Sequence, residues 1–296
     1  MGAAEVVHGV SGGSVAFITG IYDELLHSIR AIDIKALRLL IKLDFSEFWK
    51  KINGNFLMVL FAGISTSLFS LVKLMTILLK YHPVSTWSFF FGLIIISVPL
   101  VLHEINRWNS WVVLFFVLGV VMAYTITVVS PIQSPENLWF VFFAGAIAIC
   151  AMFLPGISIA FALLLIGKFQ YLMTALNDIN VLVIFVFMAG CIIGIICFSR
   201  ILSWILDNYH SAAVALLAGI MLGSLNKVWP WREVLEYATN NKGKQVPVFD
   251  KSILPWHYLA TTGKDPQVLQ AILLMALGVF FVVLIEKVAK KLKTKI

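Results

Sequence analysis

A helix needs about 20 consecutive apolar residues to cross the hydrocarbon core of a bilayer, and this chain supplies such runs repeatedly. Four unbroken ones lie at about 53–79, 84–103, 110–129 and 181–206, with a shorter fifth at 211–226 and a sixth at 268–288. Only 12% of its 296 residues are charged, against about 25% in a soluble domain, and the mean hydropathy is +0.96. These values exclude a water-soluble globule. They predict an all-α polytopic membrane protein.

The formal charge of +7 does not point to nucleic acid, because 17 of the 22 Lys and Arg fall into clusters at 30–51, 227–264 and 287–295, each beside an apolar run. Such clusters are explained by orientation and anionic headgroups. Cys150, Cys191 and Cys197 sit inside apolar runs and read as packing residues. No ligand set implies a metal or a cofactor. No basic n-region precedes the first apolar stretch, so no cleavable signal peptide is expected, and Val6 breaks the myristoylation pattern.

The chain repeats itself. GVSGGSVAFITGIY from Gly9 is echoed by GISIAFALLLIGKF from Gly156, so that Gly9, Ser11, Gly20 and Tyr22 fall on Gly156, Ser158, Gly167 and Phe169 at one offset. At a slightly different offset, Gly63, Ser67, Lys73, Gly92 and Ser97 fall on Gly190, Gly194, Arg200, Gly219 and Ser224. Each repeat opens with a Gly-rich or Pro-Gly break in an apolar segment, at His8–Gly13 and at Pro155–Ser158. About eight residues precede the first break, roughly 12 Å of helix and too short to span. Both segments therefore fit re-entrant hairpins with tips near the midplane.

Each half then holds one hairpin and three spans, an odd number, so the halves are inverted. The first repeat is expected over 1–130, with its hairpin at 1–30. The second is expected over 131–296, with its hairpin at about 137–176 and a loop at 227–267 facing out. The Lys-rich end and the 30–51 loop fall on the cytoplasmic side, while the loops at 80–83, 130–137 and 177–180 face out with only Lys80. The 227–267 loop disagrees in charge, but it is long and also carries acids; its Trp229, Trp231 and Trp256 suit an interfacial lid or belt.

A helix that starts inside the membrane offers unpaired N–H groups and the positive end of its dipole, which together bind anions. Ser11 and Ser158 are placed as N-caps, and Gly12, Gly13 and Ser14 leave room for a phosphate or carboxylate. The alternative is that Gly and Pro merely permit a kink or close packing. Intramembrane charge is costly and needs a reason. Arg200 and Lys73 occupy matching positions, either as counter-charges for an anionic headgroup or as side chains snorkelling to the nearer interface. Glu5 and His8 read as groups for proton coupling or, equally, as a terminal and a locally bonded residue. Asp23, Glu24 and Arg30 read as an interfacial cap, and Lys168 as a residue snorkelling outward.

Taken together, G-V-S-G-G at Gly9–Gly13, G-I-Y at Gly20–Tyr22, L-P-G-I-S at Leu154–Ser158, F-S-R-I-L-S-W at Phe198–Trp204, Tyr209-His210 and L-G-S at Leu222–Ser224 resemble the PopT family of bacterial polyprenyl-phosphate translocases. The resemblance covers most of the chain. It implies a multi-pass protein of the bacterial cytoplasmic membrane that returns undecaprenyl phosphate, the carrier of cell-wall precursors, from the outer to the inner leaflet. It also implies membrane lipids as partners and no enzymatic activity. His8 stands where the family has Pro, and Ile159 and Ala160 replace Gly and Ser after Ser158. Two other classes remain. G-V-S-G-G also satisfies the short motif of an intramembrane serine protease, with only His8 and His27 as candidate bases; a transporter of a small soluble anion could use the same inverted plan. A homodimer is among the arrangements the sequence leaves open.

Overall fold

The computed structural model describes residues 1–2, 12–105, 107–129, 134–135, 137–239 and 245–293. Most of them are helical. Two short helices, α1 (Gly12–Ile18) and α2 (Tyr22–Arg30), are followed by α3 (Ile34–Ile41) and α4 (Phe45–Lys51), then by three long apolar ones: α5 (Gly54–Tyr81), α6 (Pro83–Leu102) and α7 (Ser110–Val128). The second half runs α8 (Leu138–Phe153), α9 (Ile159–Leu165), α10 (Phe169–Asn177) and α11 (Val181–Ser224). A hairpin of β1 (Arg232–Thr239) and β2 (Gln245–Ser252), then α12 (Pro255–Thr262) and α13 (Val268–Lys293), complete the chain. Among the described residues, five helices are long and apolar enough to cross a membrane, and the bent pair α9–α10 makes a sixth candidate.

The 44 residues of α11 would stretch about 66 Å if straight, twice the hydrocarbon thickness. The helix instead breaks at Tyr209, where φ is −132° and ψ 44°. Between α5 and α6, His82 has φ −133° and ψ 55°. The two breaks are equivalent: α5 and α6 begin at 54 and 83, and the limbs of α11 at 181 and 210, one spacing of 127 residues throughout. The short helices agree as closely. Gly12–Ile18 and Tyr22–Arg30 have the lengths of Ile159–Leu165 and Phe169–Asn177, each bound lying 147 residues further on. Both pairs turn at a left-handed glycine, Gly20 (φ 69°) and Gly167 (φ 71°), a conformation that glycine adopts without steric cost.

Small residues set the packing. A Cβ on Gly190 would sit 2.0 Å from the Phe142 carbonyl of α8, and one on Gly219 would sit 2.2 Å from the Phe116 carbonyl of α7. Gly92 of α6 meets Met275 of α13 in the same way. The third long helix of each half therefore packs on the second of the other: α7 on the far limb of α11, and α13 on α6.

Polar contacts gather the helix ends into two groups. At one end, Arg30 reaches Asp207 at 2.7 Å, beside the cavity that Asn109 and Tyr209 line. At the other, Asn226 donates to Thr127 at 2.8 Å and Trp231 to the Pro266 carbonyl at 2.7 Å. The 227–267 segment is thus more than a loop. Its strands pair antiparallel, and Trp231, Val84, Tyr258 and Ala271 form a small core against α6 and α13. Trp256 is exposed, while Trp229 and Trp231 are bonded to backbone carbonyls.

Gly63 corresponds in sequence to Gly190 but has nothing within 4 Å of its Cβ position. Gly190→Leu should therefore lower the melting temperature in detergent, with an overpacking cost of about 1–3 kcal/mol. Gly63→Leu should leave it nearly unchanged.

Candidate functional site

The second hairpin is built around residues 154–158, which leave the helix between α8 and α9. Gly156 adopts φ +91°, and a Cβ there would lie 2.0 Å from the Ser224 hydroxyl, so only glycine lets the chain pass the far limb of α11. Ser158 is extended (ψ 154°) and accepts a hydrogen bond from the Phe161 amide at 3.3 Å, the geometry of an N-cap. It is 2% exposed. The Ser134 hydroxyl donates to the Ile166 carbonyl at 2.6 Å, and Lys168 Nζ to the carbonyls of Ser134 and Pro135. The entry to α8 and the exit from α9 thus lie side by side, closing a hairpin. Lys168 does not reach outward: it is 1% exposed and acts as the pin at the hairpin's base.

In the first hairpin, Gly12, Gly13 and Ser14 form the first turn of α1, all buried. Ser14 is fully buried and its Oγ has no hydrogen-bond partner. A shielded hydroxyl left unpaired costs about 1–3 kcal/mol. Ser11, Glu5 and His8 lie outside the described residues. The hairpins touch: the buried Tyr22 hydroxyl donates at 2.8 Å to the carbonyl of Phe153, the last residue before the second break, and α1 packs against α6 and α8.

The expected cations lie elsewhere. Lys73 is on an exposed face of α5. Arg200 lines a cavity of about 540 Å³ with Arg30, Asp33, Lys35 and Trp204. Arg30 is fixed there by Asp207 and by the Ser203 hydroxyl at 3.0 Å, and His27 approaches Asp207 at 3.5 Å. The Asp33 carboxyl binds Lys51 and the Ala36 amide, which hold it down at about 2. The side chains of Arg200 and Lys35 have no hydrogen bond or ion pair among the described residues, so positive charge is left over. Arg30 is thus more than an interfacial cap, and Lys35 carries no signal in the sequence; only tertiary contact joins them to Arg200. At the repeat-related positions Arg200, Arg30 and Trp204 become Lys73, Asn177 and Ile77, so the aromatic wall and one cation are lost.

A second charged group lies under the β-hairpin. Asp250 binds Arg232 at 2.6 Å and Lys227 at 2.7 Å, and Lys227 Nζ stands 4.9 Å from the Phe161 ring of α9. Burial pushes the Asp250 carboxyl up, but the two cations outweigh it and hold the group below its ordinary value. Burial lowers Lys227.

The family model for VCA0040-like, undecaprenyl phosphate translocase-like proteins matches residues 1–246. A polyprenyl-phosphate transporter of Vibrio cholerae serotype O1 is 44% identical over 291 residues, covering 98% of this chain and 94% of the relative. A polyprenyl-phosphate transporter of Staphylococcus aureus is 31% identical over 248 residues, covering 78% and 83%. No solved structure matches.

Two outcomes follow from these contacts. Ser158→Ala should cost about 0.5–2 kcal/mol of stability, and Ser158→Thr should restore most of it, by thermal melting. Because Asp250 is depressed in the folded state, its contribution is complete above the free carboxylate value of about 3.9 and is lost as pH falls through the lower folded value. Emission from the Trp229–Trp231 pair should hold steady from neutral pH to about 4 and change below it, whereas Asp250→Asn should show the change already at neutral pH.

Proposed function

Given that the chain belongs to the VCA0040-like family of undecaprenyl phosphate translocase-like proteins, we propose that it carries undecaprenyl phosphate from the outer to the inner leaflet of the bacterial cytoplasmic membrane. Two curated relatives bear the name polyprenyl-phosphate transporter rather than that of an enzyme. The observation that carries the reading is the matched pair of short helices, α1 and α9, starting in the buried interior with Ser14 in the first turn of one and Ser158 as the N-cap of the other, and hairpins based at opposite ends of the helices. This supports two inverted repeats, one at 1–130 and one at 131–296.

Moving a phosphate monoester through hydrocarbon unaided is prohibitive, because an unpaired ion loses its hydration without compensation. The proposed site replaces water with amide N–H groups and hydroxyls at Ser11–Ser14 and at Ser158. The polyprenyl chain stays in lipid, so no closed apolar pocket is required. As the halves alternate, the head passes to Arg200, with Arg30 and Lys35 beside it, on the side that the basic 30–51 segment marks as cytoplasmic. Lys73 is the counterpart on the outer approach, and Glu5 and His8 are the groups to couple protons.

Purified protein in liposomes tests this by comparing flip of fluorescent polyprenyl phosphate with uptake of labelled soluble phosphate. Flip of the lipid alone is expected; uptake of only the soluble ion overturns the lipid assignment. A charge-assisted hydrogen bond contributes about 1.5–3 kcal/mol, so Arg200→Ala should slow flip by roughly 10- to 100-fold without loss of folded protein. Gly12→Leu should block it, and Ser11→Ala should only weaken it. Normal rates in Arg200→Ala and Gly12→Leu would make the hairpins structural.

A further inference from the structure

Two cavities outside the hairpins obey the same internal symmetry. One, of about 690 Å³, lies where α11 breaks at Tyr209 and is walled across the gap by Trp111 and Phe115 of α7. The other, of about 420 Å³, lies at the His82 break and is walled across the gap by Gln270 and Leu274 of α13. The linings correspond position by position: His82, Ser85 and Phe89 stand where Tyr209, Ala212 and Leu216 stand in the other. Both volumes fall within the roughly 300–1,000 Å³ of small-molecule sites.

Each cavity joins a polar rim to an apolar wall. At the His82 break the rim is His82, Ser85 and Gln270, and the wall is Phe89, Phe90 and Leu274. At the Tyr209 break the rim is Asn109, Asn208 and His210, and the wall is Phe115, Ile205 and Leu216. Ser85 supplies an independent sign of a ligand. It is 8% exposed, its Oγ is shielded, and that hydroxyl has no hydrogen-bond partner. Thr86, next to it, is bonded to the His82 carbonyl, so the unpaired hydroxyl is not a general property of the wall. An unmet donor at the edge of an apolar slot calls for an amphiphile whose polar atom reaches Ser85. A slot of this size suits one chain rather than the two of a phospholipid.

We propose that the two cavities are paired docking ports for an isoprenoid phosphate, one for each leaflet, with the head at the rim and the first isoprene units against the wall. The proposal rests on the transport reading above and adds where the lipid stands before and after it crosses. The ports are separate from the hairpin tips and from the Arg200 cavity.

The test is binding of farnesyl phosphate to the full chain in nanodiscs, counted by native mass spectrometry. Ser85→Phe and Ala212→Phe fill matching positions in the two ports, so each should remove one bound equivalent and the pair should remove two. Gln270→Phe, which fills the His82 port from the opposite helix, should repeat the Ser85→Phe loss and separates port filling from a folding defect. Ser85→Ala should weaken that site about threefold to tenfold, the effect of one hydrogen bond. Unchanged stoichiometry in the double variant overturns the proposal. So does equal competition by farnesol, which would mean the rim does not read the phosphate, or by phosphatidylglycerol, which would make the occupant an ordinary membrane lipid. Binding lost with the ports filled, in a protein that flips no polyprenyl phosphate, would leave the ports standing and refute the transport reading instead.

Discussion

A backbone amide or carbonyl in hydrocarbon must find a partner inside the protein, and every unusual feature of this chain answers to that rule. A helix interrupted in the apolar layer exposes several such groups at once. The chain meets them with a capping serine at 158, a left-handed glycine at 156 wedged against Ser224, and a tyrosine hydroxyl from the other hairpin on the Phe153 carbonyl. The buried serines of the long helices answer the same demand from within, Ser88 and Ser97 returning their hydroxyls to the carbonyls of Val84 and Leu93. Among the described residues, Ser14 and Ser85 have no such partner.

Charge follows a different logic. The tips are furnished mainly with amides and hydroxyls, whereas the cations stand at the ends. Arg30, Lys35 and Arg200 share one cavity, and Lys227 and Arg232 hold Asp250 at the other end. Such an arrangement avoids burying an uncompensated cation when the site is empty. The two ends are unequal, because Asn177 and Ile77 stand where symmetry would place a second arginine and tryptophan. The positive field is therefore stronger at the Arg200 end.

Much of this was legible in the sequence, and for a definable reason. Hydropathy runs located the long helices within a few residues, and the GVSGG and GISIA echo fixed α1, α2, α9 and α10 at one spacing, because backbone breaks need particular residues. Pairing between distant helices was not legible. Helices that are apolar all round show no preferred face, so nothing in the pattern announced that Gly219 would meet Phe116 or Gly92 would meet Met275. Arg30 with Asp207 is a contact across 177 positions, and neither residue signals the other. The 232–252 strands were not legible, because their charged residues fit an exposed loop as well as a hairpin. Lys168 looked like a misfit in an apolar segment, and its pin to Ser134 and Pro135 appears only when the hairpin closes.

The exchange of third helices has a consequence for how the protein is made. The partner of α6 is α13, which follows α11 in the chain, and the partner of α7 is the far limb of α11. Gly92 and Phe89 of α6 thus meet Met275 and Phe281 only once the 26 residues of α13 have been made. Each half therefore buries part of its helix surface only against the other.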